Sequence, residues 1–192
     1  MKNKILLIIC SFNLALFTPA HAQESASQDK DELHFSFGFK GAGIAADDAY
    51  IGAGLELNVF QGDLVYSLHL IRGGEVVIFS DKEPSLLTNT SALFGQQTTL
   101  ARFFNVQYQV GVGVMNINKS QSCGDFDDCS SPKFRDQRLF GVAAQLGLNL
   151  VLSDHALLGL DLQSNVNLDA PLLAVMINLE LGSYLRGASE PS

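Results

Sequence analysis

The sequence predicts an all-β protein, an eight-stranded antiparallel up-and-down transmembrane β-barrel. Three observations support this prediction. Large apolar residues recur at every second position in eight separate segments, and two residues is the period of a β-strand. No segment carries a convincing helical period. The connections also alternate between short and longer ones, as expected for strands that run up and down.

The N-terminal segment indicates secretion. Residues 1–22 begin with Lys2 and Lys4, continue with an apolar run and end with an A-x-A cleavage site, Ala20 to Ala22. This order is typical of a signal peptide. The apolar run is too short for a membrane anchor, which needs about 20 residues. Residues 23–32 are polar and without period, so we expect them to form a linker.

The remaining chain is long enough for one domain and is acidic. Cleavage after residue 22 of the 192 would leave 170 residues. It would also remove two lysines and change the formal net charge from -8 to -10. A negative charge of this size opposes binding to nucleic acid, or to anionic lipid headgroups by charge alone. We predict the barrel over residues 33–185 and a C-terminal tail over residues 186–192.

The eight strands follow in order. Residues 33–40, 52–59 and 64–71 each place Ala, Leu, Phe, Val or Tyr at every second position, with mostly small or polar residues between. The fourth strand, near residues 86–97, is the least regular and is predicted from spacing as much as from pattern. The other four strands are the most regular and lie at residues 104–114, 140–150, 158–163 and 173–182.

The connections predict an orientation. Alternate connections of an up-and-down meander lie at the same end, and outer-membrane barrels place short turns and both termini in the periplasm. The predicted short connections are residues 61–63, 98–102 and 153–156. The predicted longer ones are residues 43–49, 72–85 and 117–137, with a modest loop at 168–171.

The residues that lie between the apolar ones along each strand show which face of the sheet meets water. In a soluble lipocalin-like barrel these faces would be solvated and would normally carry charged residues. Here they carry mainly Gly, Asn, Gln and Ser. Such residues fit the narrow interior of an eight-stranded barrel, so the apolar faces are predicted to point outward into hydrocarbon. Four charged residues lie on the predicted interior face, together with His34 and His69: Lys40, Glu56, Asp161 and Glu180.

This assignment predicts two sets of residues. Because an unpaired buried charge is costly, Lys40 is expected to pair with Glu56, Asp161 or Glu180. The predicted interior polar network is Lys40, Glu56, His69, Gln107, Gln145, Asp161, Asn178 and Glu180. The predicted lipid-facing set is Phe35, Phe37, Leu57, Val106, Val110, Leu146, Leu160 and Ile177.

Few residues suggest chemistry. Cys123 and Cys129 flank a short acidic stretch and, in an exported chain, predict a disulfide. The acidic residues between them lack an EF-hand pattern, and the pair Asp47 and Asp48 is interpreted as a solvated loop tip. Ser67 and His69 share one strand face, but an interior Ser and His more often simply hydrogen-bond. We therefore predict no catalytic residues, no metal site and no cofactor.

These features together resemble those of the small eight-stranded outer-membrane β-barrels, of the OmpA transmembrane domain and OmpX type, over roughly residues 33–185. The resemblance implies a bacterial outer-membrane protein that contacts membrane lipid and the outer-membrane assembly machinery. We expect a non-enzymatic scaffold whose loops 72–85 and 117–137 contact an extracellular partner that the sequence does not identify. The alternatives are a soluble periplasmic lipocalin-like barrel that binds an apolar ligand, and a lipid-modifying barrel enzyme.

Overall fold

The computed structural model of the protein describes residues 33–76, 84–101, 103–121 and 133–182. These residues form eight β-strands, and none of them forms a helix long and apolar enough to cross a membrane. In chain order the strands are β1 (Leu33–Ala45), β2 (Ala49–Gln61), β3 (Leu64–Glu75), β4 (Leu86–Ala101), β5 (Phe104–Gln121), β6 (Lys133–Ser153), β7 (Ala156–Val166) and β8 (Leu172–Gly182).

The strands close into a single antiparallel barrel. Each strand pairs with the next along the chain, and β1 also pairs with β8. Phe37 of β1, for example, lies opposite Leu57 of β2 on one side and Leu181 of β8 on the other. Closure gives the backbone N–H and C=O groups of the barrel partners on both sides. The predicted fold, an eight-stranded up-and-down barrel, is confirmed.

The two ends of the barrel differ in their connections. One end, which we call the turn end, has the two-residue connections 62–63, 102–103 and 154–155. The first of these turns places Gly62 at φ 58°, a left-handed conformation that favours glycine. The opposite end, which we call the loop end, has four connections: residues 46–48, 76–85, 122–132 and 167–171.

Several strands are longer than the sequence pattern predicts, which corrects the loop bounds. β1 continues to Ala45 and β3 to Glu75, while β5 continues to Gln121 and β6 begins at Lys133. The predicted loops 43–49, 72–85 and 117–137 are therefore shorter, and the first has only three residues. The prediction failed because strand pairing uses backbone groups, so polar and glycine-rich segments continue the ladder without an apolar face.

The barrel interior has a polar middle and apolar ends. Near the turn end, Phe60, Val65 and Leu157 are buried. At the loop end a larger group of apolar side chains fills the interior, where the sequence predicted small and polar residues. An eight-stranded barrel is just wide enough to be filled by side chains, so this group occupies the lumen. Its members are Ala42, Ile44, Tyr50, Ile71, Leu87, Met115, Ile117, Leu139, Ala170, Leu172, Ala174 and Met176.

Candidate functional site

A buried ion cluster lies in the polar middle of the barrel. Lys40 of β1 places its Nζ 2.8 Å from Glu56 Oε2 of β2 and 2.8 Å from Asp161 Oδ2 of β7. The three side chains are at most 1% exposed. β1 pairs with both β2 and β8, and β8 pairs with β7, so barrel closure brings these groups together. Lys40 thus contacts two of the three carboxylates that the sequence offered as partners.

His69 and Asn178 extend the cluster on opposite sides. His69 lies across from Glu56 in the β2–β3 ladder, and its Nε2 is 2.8 Å from Glu56 Oε1. Neither ring nitrogen of His69 makes a hydrogen bond of normal geometry, so this contact is defined by distance alone. Asn178 donates a hydrogen bond from Nδ2 to Asp161 Oδ2 at 2.7 Å. Both carboxylates of the cluster therefore have a contact besides Lys40.

Glu180 is held by neutral donors and not by Lys40. Its Oε1 accepts hydrogen bonds from Ser36 Oγ and Asn58 Nδ2. Ser67 donates to Asn58 Oδ1, and Gln109 Nε2 donates to Ser67 Oγ at 2.6 Å. This chain of side chains links β1, β2, β3, β5 and β8. It stabilises the third interior carboxyl group by hydrogen bonding, where the sequence had suggested an ion pair.

Amide side chains occupy the other side of the lumen. Gln107 and Gln145 are both buried, and Gln107 Oε1 accepts a long hydrogen bond, 3.5 Å, from Asn149 Nδ2. On neighbouring strands Asn165 Nδ2 donates to Asn89 Oδ1 at 2.9 Å, and Gln163 Nε2 donates to Ser91 Oγ at 3.1 Å. All eight residues of the predicted interior network thus lie inside the barrel.

One glycine makes room for the ion cluster. Gly147 of β6 pairs with Asp161, and a Cβ added at this glycine would lie 2.7 Å from Asp161 Oδ1. That separation is shorter than real Cβ contacts, and the carboxylate is fixed by Lys40 and Asn178. The small residues that alternate with apolar ones along β6 therefore help to position interior side chains.

The outer surface carries many large apolar side chains. Of the predicted lipid-facing set, Val106 and Val110 are partly exposed. Ile177 is 63% exposed, and other large apolar side chains from all eight strands are likewise exposed. Interior and exterior are thus inverted relative to a water-soluble barrel. The remaining members of the predicted set are exposed: Phe35, Phe37, Leu57, Leu146, Leu160.

At the loop end, Asp47 forms an ion pair with Lys119 of β5 and accepts a hydrogen bond from Tyr50 Oη at 3.2 Å. Partial burial by itself would raise the pKa of the Asp47 carboxyl, but the contacts with Lys119 and Tyr50 outweigh burial and lower it. The interpretation of Asp47 as only a solvated loop tip is therefore wrong. No sequence signal links residues this far apart.

Other sequence predictions fall outside the described residues. They are the signal peptide, the linker, the C-terminal tail, and the disulfide between Cys123 and Cys129. Within the described part of the chain, no group of three or more His, Cys, Asp or Glu side chains is arranged to hold a metal ion.

Comparison with solved structures gives close matches in fold. The Neisserial surface protein A superimposes with a TM-score of 0.59 at 8% identity, over 78% of this chain and 96% of that one. Ail of Yersinia pestis, the attachment invasion locus protein, gives 0.56 at 12% identity, over 80% and 99%. OprG of Pseudomonas aeruginosa, an outer membrane protein, gives 0.55 at 14% identity, over 80% and 96%.

The fold is that of the small bacterial outer-membrane barrels. At these identities the likeness establishes the architecture, while the site residues are this chain's own. No protein-family model matches the sequence, and no curated protein matches it. The apolar exterior, the polar interior and the closed sheet are the features that a barrel needs in a bilayer, where every backbone polar group requires a partner.

Proposed function

We propose that this protein is a non-enzymatic bacterial outer-membrane barrel that holds its loop end outside the cell for contact with an extracellular partner. The observation that supports this proposal most is the length of the β5–β6 hairpin. β6 pairs with β7 only from Val142 onward, whereas it pairs with β5 from Lys133. The β6 residues 133–141 therefore extend beyond β7 and, among the described residues, pair only with β5.

Such a hairpin is suited to contact. The free side of residues 133–141 offers backbone N–H and C=O groups that can pair with an added strand. The hairpin is rigid because β5 and β6 stay in register up to the pair Gln121 and Lys133. On its outer face Arg138 donates a hydrogen bond from Nε to Asn116 Oδ1 at 3.0 Å, which fixes two polar side chains.

The orientation follows from the fold. Outer-membrane barrels keep their short turns and termini in the periplasm and their longer loops outside. The turn end holds three two-residue connections and both ends of the barrel, so it fits the periplasmic side. The apolar exterior fits membrane lipid, and assembly into the membrane would use the outer-membrane assembly machinery.

The interior supports a structural role over an enzymatic one. His69 is fully buried and lies against Glu56, and Ser67 Oγ is engaged by Asn58 and Gln109. A lipid-modifying enzyme would need its nucleophile or base at the lipid boundary. Both side chains lie inside the barrel: His69 contacts the ion cluster through Glu56, and Ser67 belongs to the hydrogen-bonded chain that ends at Glu180.

We also propose that the partner is not a polyanion. Ail has been solved in complex with a heparin analogue, sucrose octasulfate. The present chain carries a formal net charge of -8, which disfavours a highly sulfated ligand. A shared fold does not by itself transfer a ligand from one protein to another.

A hairpin-shortening variant tests the proposal. Replacing residues 119–135 with a two-residue turn would remove the part of the hairpin beyond β4, including the tip and residues 133–135 of the β6 edge, and leave the barrel register intact. We expect the variant to insert and to show normal heat-modifiable migration, but to lose adhesion of the expressing cells to surfaces or to other cells. A second variant shortens the β3–β4 connection within residues 76–85, the other loop expected to contact the partner, and it should keep adhesion if contact depends on the hairpin.

The outcomes separate the two parts of the proposal. Unchanged adhesion with the shortened hairpin would contradict the contact role. Release of the wild-type protein by osmotic shock, without detergent, would contradict the membrane placement and favour a soluble periplasmic barrel.

A further inference from the structure

A groove of about 460 Å³ lies on the outer face of the barrel, across β1, β2 and β3. This volume is within the range of sites that hold small ligands. The lining is apolar except for Lys40 and Arg72, and the ammonium of Lys40 lies inside the barrel between Glu56 and Asp161. The groove is lined by Phe39, Lys40, Gly41, Ala53, Gly54, Leu55, Leu70 and Arg72.

The groove exists because small residues replace large ones over a short part of the apolar surface. Gly41 and Ala53 are paired in the β1–β2 ladder and form its floor. The next row of residues toward the turn end has large exposed side chains that form a wall: Phe39, Leu55 and Leu70. A Cβ added at Gly41 would meet no atom within 4 Å, so the space in front of this residue is open.

Arg72 supplies one charge to the groove. It is exposed and pairs with Ala53 on one side and Thr88 on the other. Within the described part of the chain no ion pair involves Arg72. A cation on the lipid face is costly at the bilayer midplane and much less so near the interface. Arg72 lies near the loop end of β3, so in the proposed membrane placement it is at the depth of lipid headgroups, where its guanidinium pairs well with phosphate.

Two described acidic side chains near the loop end, Glu75 and Asp47, have other partners. Glu75 accepts a hydrogen bond at Oε2 from the backbone N–H of Ser85 at 2.9 Å, and Asp47 is paired with Lys119. The net negative charge of the chain acts on distant anions but is screened beyond about 10 Å at 0.1 M salt. A lipid held by apolar contact and one guanidinium is thus compatible with an acidic protein.

We propose that the groove binds a phosphate-bearing lipid of the surrounding leaflet, with an acyl chain against Gly41 and Ala53 and the phosphate on Arg72. The proposal rests on the membrane placement proposed above. The apolar wall would exclude water from the acyl chain, and Arg72 would select lipids that carry phosphate near the glycerol or sugar backbone. The barrel would then carry a lipid with it in a fixed position.

Electron spin resonance of the full chain, reconstituted in phosphatidylcholine vesicles, tests this inference. The probes are spin-labelled phosphatidic acid and spin-labelled diacylglycerol with the same acyl chains. We expect the motionally restricted fraction to favour phosphatidic acid by about five-fold, because one arginine near the interface contributes about 1 kcal/mol. Arg72→Gln should remove this preference, and Gly41→Leu should remove it by filling the groove.

A control variant tests whether a larger side chain outside the groove has the same effect as one that fills the groove. Ala92 is an exposed small residue on the outer face of β4, between Leu68 and Val112, and lies outside the groove. Ala92→Leu should keep the five-fold preference. An equal fraction for both probes in the wild type would overturn the inference, as would displacement of the labelled lipid by inorganic phosphate alone. Absence of any restricted lipid would overturn the membrane placement as well.

Discussion

Replacing Lys40 with methionine is the sharpest test of the interior. Lys40 is the cation between Glu56 and Asp161, with both carboxylate oxygens 2.8 Å from its Nζ. Methionine keeps much of the side-chain volume and removes the charge. Both carboxylates would then remain buried, with only His69 and Asn178 beside them.

The expected loss is large. Removing one partner of a buried ion pair typically costs about 3–5 kcal/mol, because the remaining charge has neither water nor a counter-ion. Lys40 serves two carboxylates that are at most 1% exposed, so we expect a loss in the upper part of that range. The cost comes from the charges left without a partner, because a buried ion group can often be replaced as a whole by well-packed hydrophobic residues of similar volume without loss of stability. Glu56→Gln and Asp161→Asn should therefore restore most of the stability of Lys40→Met.

Urea unfolding in lipid vesicles, followed by the change in gel migration between folded and unfolded barrels, measures both effects. The free energy of unfolding should fall in the single variant and recover to within about 1 kcal/mol of wild type in the triple variant. A single variant that loses less than about 1 kcal/mol would refute the reasoning, since the cluster would then be solvated. A triple variant as unstable as the single one would show that packing, and not charge, explains the loss.

Three further predictions use the same unfolding measurement. Ile177→Lys, near the middle of the exposed row of β8, should cost about 2–4 kcal/mol in a bilayer and far more than Ile177→Ala; equal costs would contradict lipid contact. The ion pair with Lys119 lowers the pKa of Asp47. The contribution of Asp47 to the free energy of unfolding is therefore present above its unfolded pKa of about 4 and is lost as the pH falls through the pKa of the folded state. Asp47→Asn should therefore be less stable than wild type at pH 7, the difference should shrink as the pH is lowered below about 4, and a difference that is the same at pH 7 and at pH 3 would exclude the ion pair with Lys119. Gly62→Ala should cost about 1–2 kcal/mol because of the left-handed backbone, and an unchanged midpoint would show that the turn relaxes.

The sequence predicted the barrel well because its strongest signal is the alternation itself. In β5, apolar residues occupy every second position from Phe104 to Val114, and lipid outside with a narrow lumen inside requires this pattern. The signal ends where the strand leaves the apolar band. Asn116 and Asn118 resemble loop residues in composition, yet their backbones still pair with β4 and β6. Polar composition therefore marks the edge of the band and not the end of the strand.

The interior could be predicted only in part. Charged residues on the small-residue face, such as Lys40 and Asp161, are visible in the sequence because little else on that face is charged. Their pairing is set by register around the closed barrel, which sequence spacing does not give. The apolar filling of the loop end was predicted only in part. The alternation along β3 places Ile71 inside and Leu70 outside, as observed, but Ile44 and Ile117 lie in segments that the pattern predicted as loops.

The distribution of charge and apolar surface decides between hydrocarbon and water as the solvent of the outer face. A lipocalin-like barrel would enclose its large apolar side chains and expose its polar ones, and Phe140, 72% exposed, shows the opposite arrangement. The fully buried His69 and the ion cluster of Lys40, Glu56 and Asp161 would gain nothing from burial if water were freely available outside. With hydrocarbon outside, a charged side chain has no solvated position on the membrane-facing surface. Its favourable position is then inside the lumen, paired with an opposite charge. By the same argument Arg72 is unusual, since it is a charge on the outer face. It lies beside the groove that we propose binds a lipid, and there its guanidinium would pair with the lipid phosphate.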